Sequence, residues 1–196
     1  MTGPAIYFIR HGETDWNREG RLQGGQEIPL NDLGRSQAAV AAEHLRDLVG
    51  ERTRTLPWLA SPMGRTVETL QIMRRTLGLP AGGWASDERL REISFGRWEG
   101  LTWKEVRRAD PPGAAGRSAD KWGYVPPGGE SYQILQERVR PVFEAIVTDT
   151  IVVAHGGVAR AALVLLAGMA PMAAVNEDIW QGRVLVIEPG RQFWVP

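Results

Sequence analysis

Ala5-Ile-Tyr-Phe-Ile-Arg-His-Gly12 is the stretch from which the fold can be read. Its apolar half, residues 5–9, is short, rich in β-formers and bounded by Pro4 and Gly12, the pattern of a buried strand. Thr150-Ile-Val-Val-Ala154 repeats the pattern and, like the first run, soon reaches a histidine followed by a glycine. Elsewhere the periodicity changes. Asn31 or Asp32 stands where a helix cap is needed, and Ala38, Ala41, Leu45 and Leu48 recur at helical spacing until Gly50. Residues 55–60 read as a second strand, and residues 64–77 as a helix ended by Gly78 and Pro80. A further helix is expected over about 158–167, with closing strands at 183–188 and 192–195. Strands alternating with helices imply βαβ units, hence a three-layer α/β/α sandwich around a mainly parallel sheet.

Residues 101–130 interrupt this rhythm. Ala109-Asp-Pro-Pro-Gly-Ala-Ala-Gly116 and Pro126-Pro-Gly-Gly129 carry loop chemistry, with Trp103, Trp122 and Tyr124 nearby. So long an irregular segment is usually functional or mobile. It is expected to be a loop or helix cap over the site, inserted in a single domain covering 1–196.

Composition narrows the function. The chain has 196 residues, enough to bury about 70% of its unfolded surface without a disulfide or metal. It has no cysteine, which excludes thiolate nucleophiles and thiolate zinc sites. Lysine plus arginine number 23 against 23 acidic residues, with none of the basic excess of a nucleic-acid binder. The apolar run 161–175 is broken by Gly168 and Pro171 and falls short of a bilayer span. Residues 1–10 show neither a basic leader nor a long apolar core. A cytoplasmic protein without a membrane or nucleic-acid partner is expected. Oligomeric state is not readable.

The chemistry centres on Arg10-His11-Gly12 and Ala154-His155-Gly156. A lone histidine after a strand is ordinarily a turn residue. Two in matching positions would meet at one rim, because ligands of open α/β sheets sit beyond the carboxyl ends of the strands. His44, inside a helix pattern, reads as structural. Gly156-Gly157 ahead of a helix offers N–H groups to an anion. A metal site with Glu13 as third ligand is opposed by the permanent cation of Arg10. A paired acid–base site, as in some nucleases, fits poorly with the neutral charge balance. A nucleophilic histidine in an anion pocket is supported by Arg10, whose fork matches phosphate oxygens, and by Arg65 behind Ser61-Pro-Met-Gly64. Glu92 is the candidate general acid, although spacing alone would admit Glu13 or Glu99.

Arg10-His-Gly-Glu-Thr14 resembles the signature of the histidine phosphatase superfamily, which includes the cofactor-dependent phosphoglycerate mutases. The likeness continues in order through Trp16-Asn17, Gly20-Arg-Leu-Gln-Gly24, Pro29-Leu30, Leu33-Gly34, Ser61-Pro-Met-Gly-Arg-Thr66, Glu92, Phe95-Gly96, Trp98-Glu-Gly100, Gly128-Gly-Glu-Ser131 and His155-Gly-Gly157. It implies a phosphoglycerate mutase-like fold and hydrolysis of a small phosphate ester through a phosphohistidine on His11, with no cofactor and no metal. Arg10, Arg65 and His155 would hold the phosphoryl group, with Asn17 reaching it. Gln23 and Gly24 would border the substrate beside Gly156. Glu92 would protonate the leaving oxygen and then activate water. A backbone acceptor on the second ring nitrogen would fix the tautomer of His11.

Within the superfamily the resemblance favours the small phosphatases. Phe95-Gly-Arg-Trp-Glu-Gly100 looks like theirs, whereas the mutases usually carry a tyrosine at the position of Phe95 and a longer insertion. A mutase, or an inactive relative used for binding, is the alternative. For the substrate's second part, Trp103, Trp122 and Tyr124 could stack and Lys104, Arg107 and Arg108 could meet another anion, or all six could simply pack the cap and coat its surface.

Overall fold

The computed structural model describes residues 3–195; Met1 and Thr2, part of the N-terminal stretch read above, and Pro196 lie outside them. Six strands form one sheet in the order β3-β2-β4-β1-β5-β6. They are β1 (Ile6–Arg10), β2 (Trp58–Ala60), β3 (Ala85–Ser86), β4 (Thr150–Ala154), β5 (Val184–Glu188) and β6 (Arg191–Val195). The first four run parallel, β5 is antiparallel to β1, and β6 is antiparallel to β5. The helices are α1 (Asp15–Arg18), α2 (Asp32–Val49), α3 (Gly64–Thr76), α4 (Trp103–Ala109), α5 (Pro111–Ala119), α6 (Tyr132–Glu144), α7 (Gly156–Ala167) and α8 (Pro171–Ala174).

The period of two along a strand divides β1 between two cores. Ile6 and Phe8 pack with Val152 of β4 against Leu135 and Val139 of α6 and Val158 of α7. Tyr7 and Ile9 pack with Ile151 and Val153 against Leu45 of α2 and Leu70 of α3. Both faces of the sheet are therefore covered, and the three-layer α/β/α arrangement follows. Among the described residues no helix is long and apolar enough to cross a membrane.

Besides the short elements α1, β3 and α8, which were not expected, four departures from expectation stand out. The second strand is shorter, because a 3-10 turn over Gly50–Arg54 continues through a Thr55 N–H bond to Arg52. Helix α7 starts at Gly156, directly after His155, so no spacer separates strand, histidine and helix. The segment 101–130, read as irregular, is largely helical. Thr102 and Glu105 form a capping box for α4, and Asp110 caps α5 by accepting from Gly113 N at 2.9 Å. Pro111 and Pro112 occupy the first turn, where missing N–H groups cost nothing, so apparent loop residues make a helix. Helix α6, capped by Ser131, has no counterpart among the expected elements; Leu135, Val139 and Val142 at helical spacing carry its signal.

Candidate active site

Three strand ends converge at the rim. The parallel register sets Arg10 beside Ala154, and His11 N donates to Ala154 O at 3.0 Å, so both histidines emerge at one level. Ser61, just past β2, joins them through its N–H to Val153 O at 3.0 Å. The ring centroids of His11 and His155 are 5.2 Å apart.

Each ring is held through one nitrogen. His11 Nδ1 lies 2.7 Å from Gly12 O, and a carbonyl oxygen only accepts, so Nδ1 carries the proton. The expected backbone acceptor is therefore present, and Nε2 keeps its lone pair. His155 Nε2 lies 2.8 Å from Ser61 Oγ, while its Nδ1 is buried without a partner. Burial first, then the charges of Arg65 and Arg10, hold the His11 pKa well below the ordinary value of 6.5. Burial and the same neighbours, with Arg65 foremost, act likewise on His155. Both rings are neutral at pH 7.

The arginines meet carbonyl oxygens rather than carboxylates. Arg10 Nη1 donates to Ile179 O at 2.9 Å, and Arg65 donates to Gln26 O and Gly24 O at 2.7 and 3.1 Å. The Nε of each is buried without a partner. Burial lowers the Arg10 pKa to about 10, which leaves it cationic at neutral pH. Arg65 is buried and Arg10 half-buried, and cations so placed without a paired carboxylate make a site for an anion.

Glu92 completes the arrangement. Its Oε1 accepts from Ile93 N at 2.9 Å and from Gly157 N at 3.0 Å. Position 157 must be glycine for this approach, since a Cβ there would strike the carboxylate. Arg10, Asn17, Gln23, Gly24, Glu92 and Gly156 border one cavity of about 150 Å3. His11, Arg65 and His155 do not border it; at 2%, 1% and 0% exposure they are buried. Asn17 Oδ1 is occupied by Thr14 N and by Gln181 Nε2, so its amide nitrogen is the atom left for a ligand. Geometry also separates the three candidate acids. Glu13 accepts from Asn31 Nδ2, and Glu99 clamps Gly25 N, Ser94 Oγ and Phe95 N. Neither borders the cavity. Among the described residues no three His, Asp or Glu side chains gather where they could hold a metal ion.

A family model for the histidine phosphatase superfamily (branch 1) matches residues 6–195. This chain belongs to the histidine phosphatase superfamily. A glucosyl-3-phosphoglycerate phosphatase of Mycolicibacterium vanbaalenii is 33% identical over 176 residues, covering 84% of this chain and 74% of that protein. A metal-independent phosphoserine phosphatase of Arabidopsis thaliana is 36% identical over 162 residues, covering 80% of this chain and 66% of that protein. Among solved structures, Bacillus stearothermophilus YhfR superposes with a TM-score of 0.79 at 31% identity, covering 94% of this chain and 91% of that one.

Seen as a histidine phosphatase, the chain has site residues that sequence reading missed. Gln181 Nε2 donates to His11 O and to Asn17 Oδ1, both at 3.1 Å, tying the first strand end to α1. It arrives from the loop before β5, where no local pattern marks it. Arg160 borders the cavity from the first turns of α7. Its spacing of four from Gly156, on a helix that begins at the rim, was a readable signal. His44 lies in α2, partly buried, with its Nδ1 buried and without a partner, so it is neither the exposed nor the hydrogen-bonded structural histidine expected there.

Proposed function

We propose that this chain is a phosphomonoester hydrolase that works through a phosphohistidine on His11. The observation that carries the proposal is the His11 ring itself: Nδ1 is committed to Gly12 O, and the neutral ring lies among the charges of Arg10 and Arg65. Nε2 attacks phosphorus in line with the ester oxygen, the P–O bond breaks, and Glu92 in its acid form donates a proton to the departing oxygen. The negative charge on the remaining phosphoryl oxygens is met by Arg10, Arg65, the amide nitrogen of Asn17 and the Gly156 N–H at the start of α7. Glu92, now a carboxylate, takes a proton from water as the water oxygen attacks phosphorus. The P–N bond breaks, phosphate leaves, and Nε2 regains its lone pair. Gln23 and Gly24 border the entering ester.

The relatives supply substrates to try first. Phosphoserine and glucosyl-3-phosphoglycerate are both phosphomonoesters that also carry a carboxylate. Phosphate release from these, from 3-phosphoglycerate and from 4-nitrophenyl phosphate is expected, and His11→Ala is expected to lower it by about 10³-fold or more. Residual release close to wild type in His11→Ala would remove the nucleophile assignment. Interconversion of phosphoglycerates with little free phosphate would make the chain a mutase instead.

A further inference from the structure

Gly128-Gly-Glu-Ser131, part of the ordered likeness, has no task in the reaction above. In the fold it lies against the segment that carries Glu92. Residues 91–95 form neither helix nor strand, so no regular hydrogen-bond pattern holds the main chain there. Leu90 and Ile93 anchor the segment in the core beside Leu135 and Val139 of α6. Its polar groups are held by two side chains, Arg138 and Glu130.

Arg138 stands about two turns beyond the Ser131 cap of α6. Its Nη1 donates to Arg89 O at 2.6 Å and to Arg91 O at 3.0 Å. Its Nη2 donates to Glu92 O at 3.3 Å and to Glu130 Oε2 at 2.8 Å, and its Nε to Glu130 Oε1 at 2.9 Å. A guanidinium has five N–H groups, and each one here has an acceptor. Three of those acceptors are carbonyl oxygens in the segment of the acid itself.

Glu130 meets Ser94 twice. Its Oε2 accepts from Ser94 N at 3.1 Å, and its own N–H donates to Ser94 O at 2.8 Å. Gly129 permits this approach, since a Cβ there would lie 2.6 Å from Ser94 O. The main chain on both sides of Glu92 is thus tied to α6, while its carboxylate meets Gly157 N on α7. Arg138 and Glu130 are only 23% and 21% exposed, unlike an ordinary surface pair, and neither borders the phosphate cavity.

We infer that Arg138, braced by Glu130, is a positioning residue for Glu92. It sets where the main chain of the acid lies, and so whether the carboxyl reaches the leaving oxygen. The inference rests on the hydrolase reading. A general acid works only within about 2.6–3.2 Å of the oxygen it protonates, and a displacement of about 1 Å can cost about 10²-fold. Lysine is no substitute, because three donors on one atom cannot span three carbonyls and a carboxylate.

A series of phosphate monoesters with leaving groups from 4-nitrophenol to simple alcohols tests this. Nitrophenolate departs without a proton, whereas an alkoxide needs one, so only the poor leaving groups report on the acid. Glu92→Gln is the reference for complete loss of the acid. In Arg138→Met, kcat/KM is expected to fall by about 10- to 100-fold for the alkyl esters and only a few-fold for 4-nitrophenyl phosphate. With that last ester kcat should fall more than kcat/KM, since water attack on the phosphoenzyme needs Glu92 as base whatever group left first. Arg138→Lys is expected to behave like Arg138→Met. Glu130→Gln should shift the series in the same direction by less, and it decides the matter if Arg138→Met does not fold. Turnover of 4-nitrophenyl phosphate shows which variants are folded. A loss equal for all leaving groups in the folded variants, while Glu92→Gln discriminates among them, overturns the inference and leaves the hydrolase standing. A Glu92→Gln enzyme that does not discriminate removes Glu92 as the acid, and the inference with it. Failure of the hydrolase reading would show differently, as phosphate release that does not depend on His11.

Discussion

In the proposed reaction two separate devices prepare His11 for attack, and they can be tested apart. The Gly12 carbonyl fixes which nitrogen is free, while burial, Arg65 and Arg10 keep the ring unprotonated. A free-enzyme pKa appears as the acid limb of kcat/KM, so that limb is expected below pH 6.5. Removing a nearby positive charge makes a histidine easier to protonate. In Arg65→Gln the limb is therefore expected to move up, toward 6.5, with kcat lowered by about 10²- to 10³-fold through lost charge stabilisation. A pH–rate profile of both proteins checks this. A limb that stays put or moves to lower pH would show that Arg65 does not set the protonation of the ring. At this scale the sequence was legible wherever a residue adjoins a strand end, as with Arg10, His11 and His155. Gln181 was not legible, because its contacts with His11 and Asn17 arise from where a loop comes to rest.

Asp110 shows how one side chain can join two elements. Asp110 Oδ1 accepts from Gly113 N and caps α5, while Oδ2 accepts from the indole Nε1 of buried Trp98 at 3.0 Å. Asp110→Ala removes the helix cap and leaves the Trp98 N–H unpaired, an expected loss of about 1–3 kcal/mol in unfolding free energy. Asp110→Asn retains an oxygen for one of the two donors and should lose less. Urea unfolding of the two variants measures the difference, and equal losses would show that the carboxylate oxygens do not share the work in this way. The same residue explains why α5 escaped the sequence reading. Asp-Pro-Pro-Gly is turn chemistry by composition, and only the capping bond shows that the prolines begin a helix. By contrast β1, β4, α2 and α3 were legible because apolar spacing and a cap or stop residue agree in each. Helix α6 had the spacing, but it lies behind Pro126-Pro-Gly-Gly129, which drew the irregular reading toward it.

Across the whole molecule, a neutral and balanced chain surrounds two buried imidazoles, and this links folding to pH. In the unfolded chain each histidine protonates near 6.5; in the folded protein His11 and His155 do so well below that. Between these values the unfolded state holds protons that the native state lacks, so unfolding is favoured as pH falls. Stability is thus expected to be level above about pH 7 and to fall below 6.5, with a slope of at most about 2.7 kcal/mol per pH unit for two groups. The carboxylates with lowered pKa, Asp87, Asp149, Glu105 and Glu137, start from 3.8 or 4.5, so the interval from about 5 to 6.5 belongs to the histidines. Urea titrations across that interval measure the slope, and His155→Asn should reduce it by about half if the two rings contribute alike. A slope near zero in the wild type would mean that the rings are not buried as neutral groups. Inorganic phosphate supplies a second check through the same linkage. In the proposed site phosphate is held by Arg10 and Arg65, where it is expected to stabilise the native state and to offset the charges that keep both rings unprotonated. The native protein then takes up protons more readily, and the slope should flatten as phosphate is added.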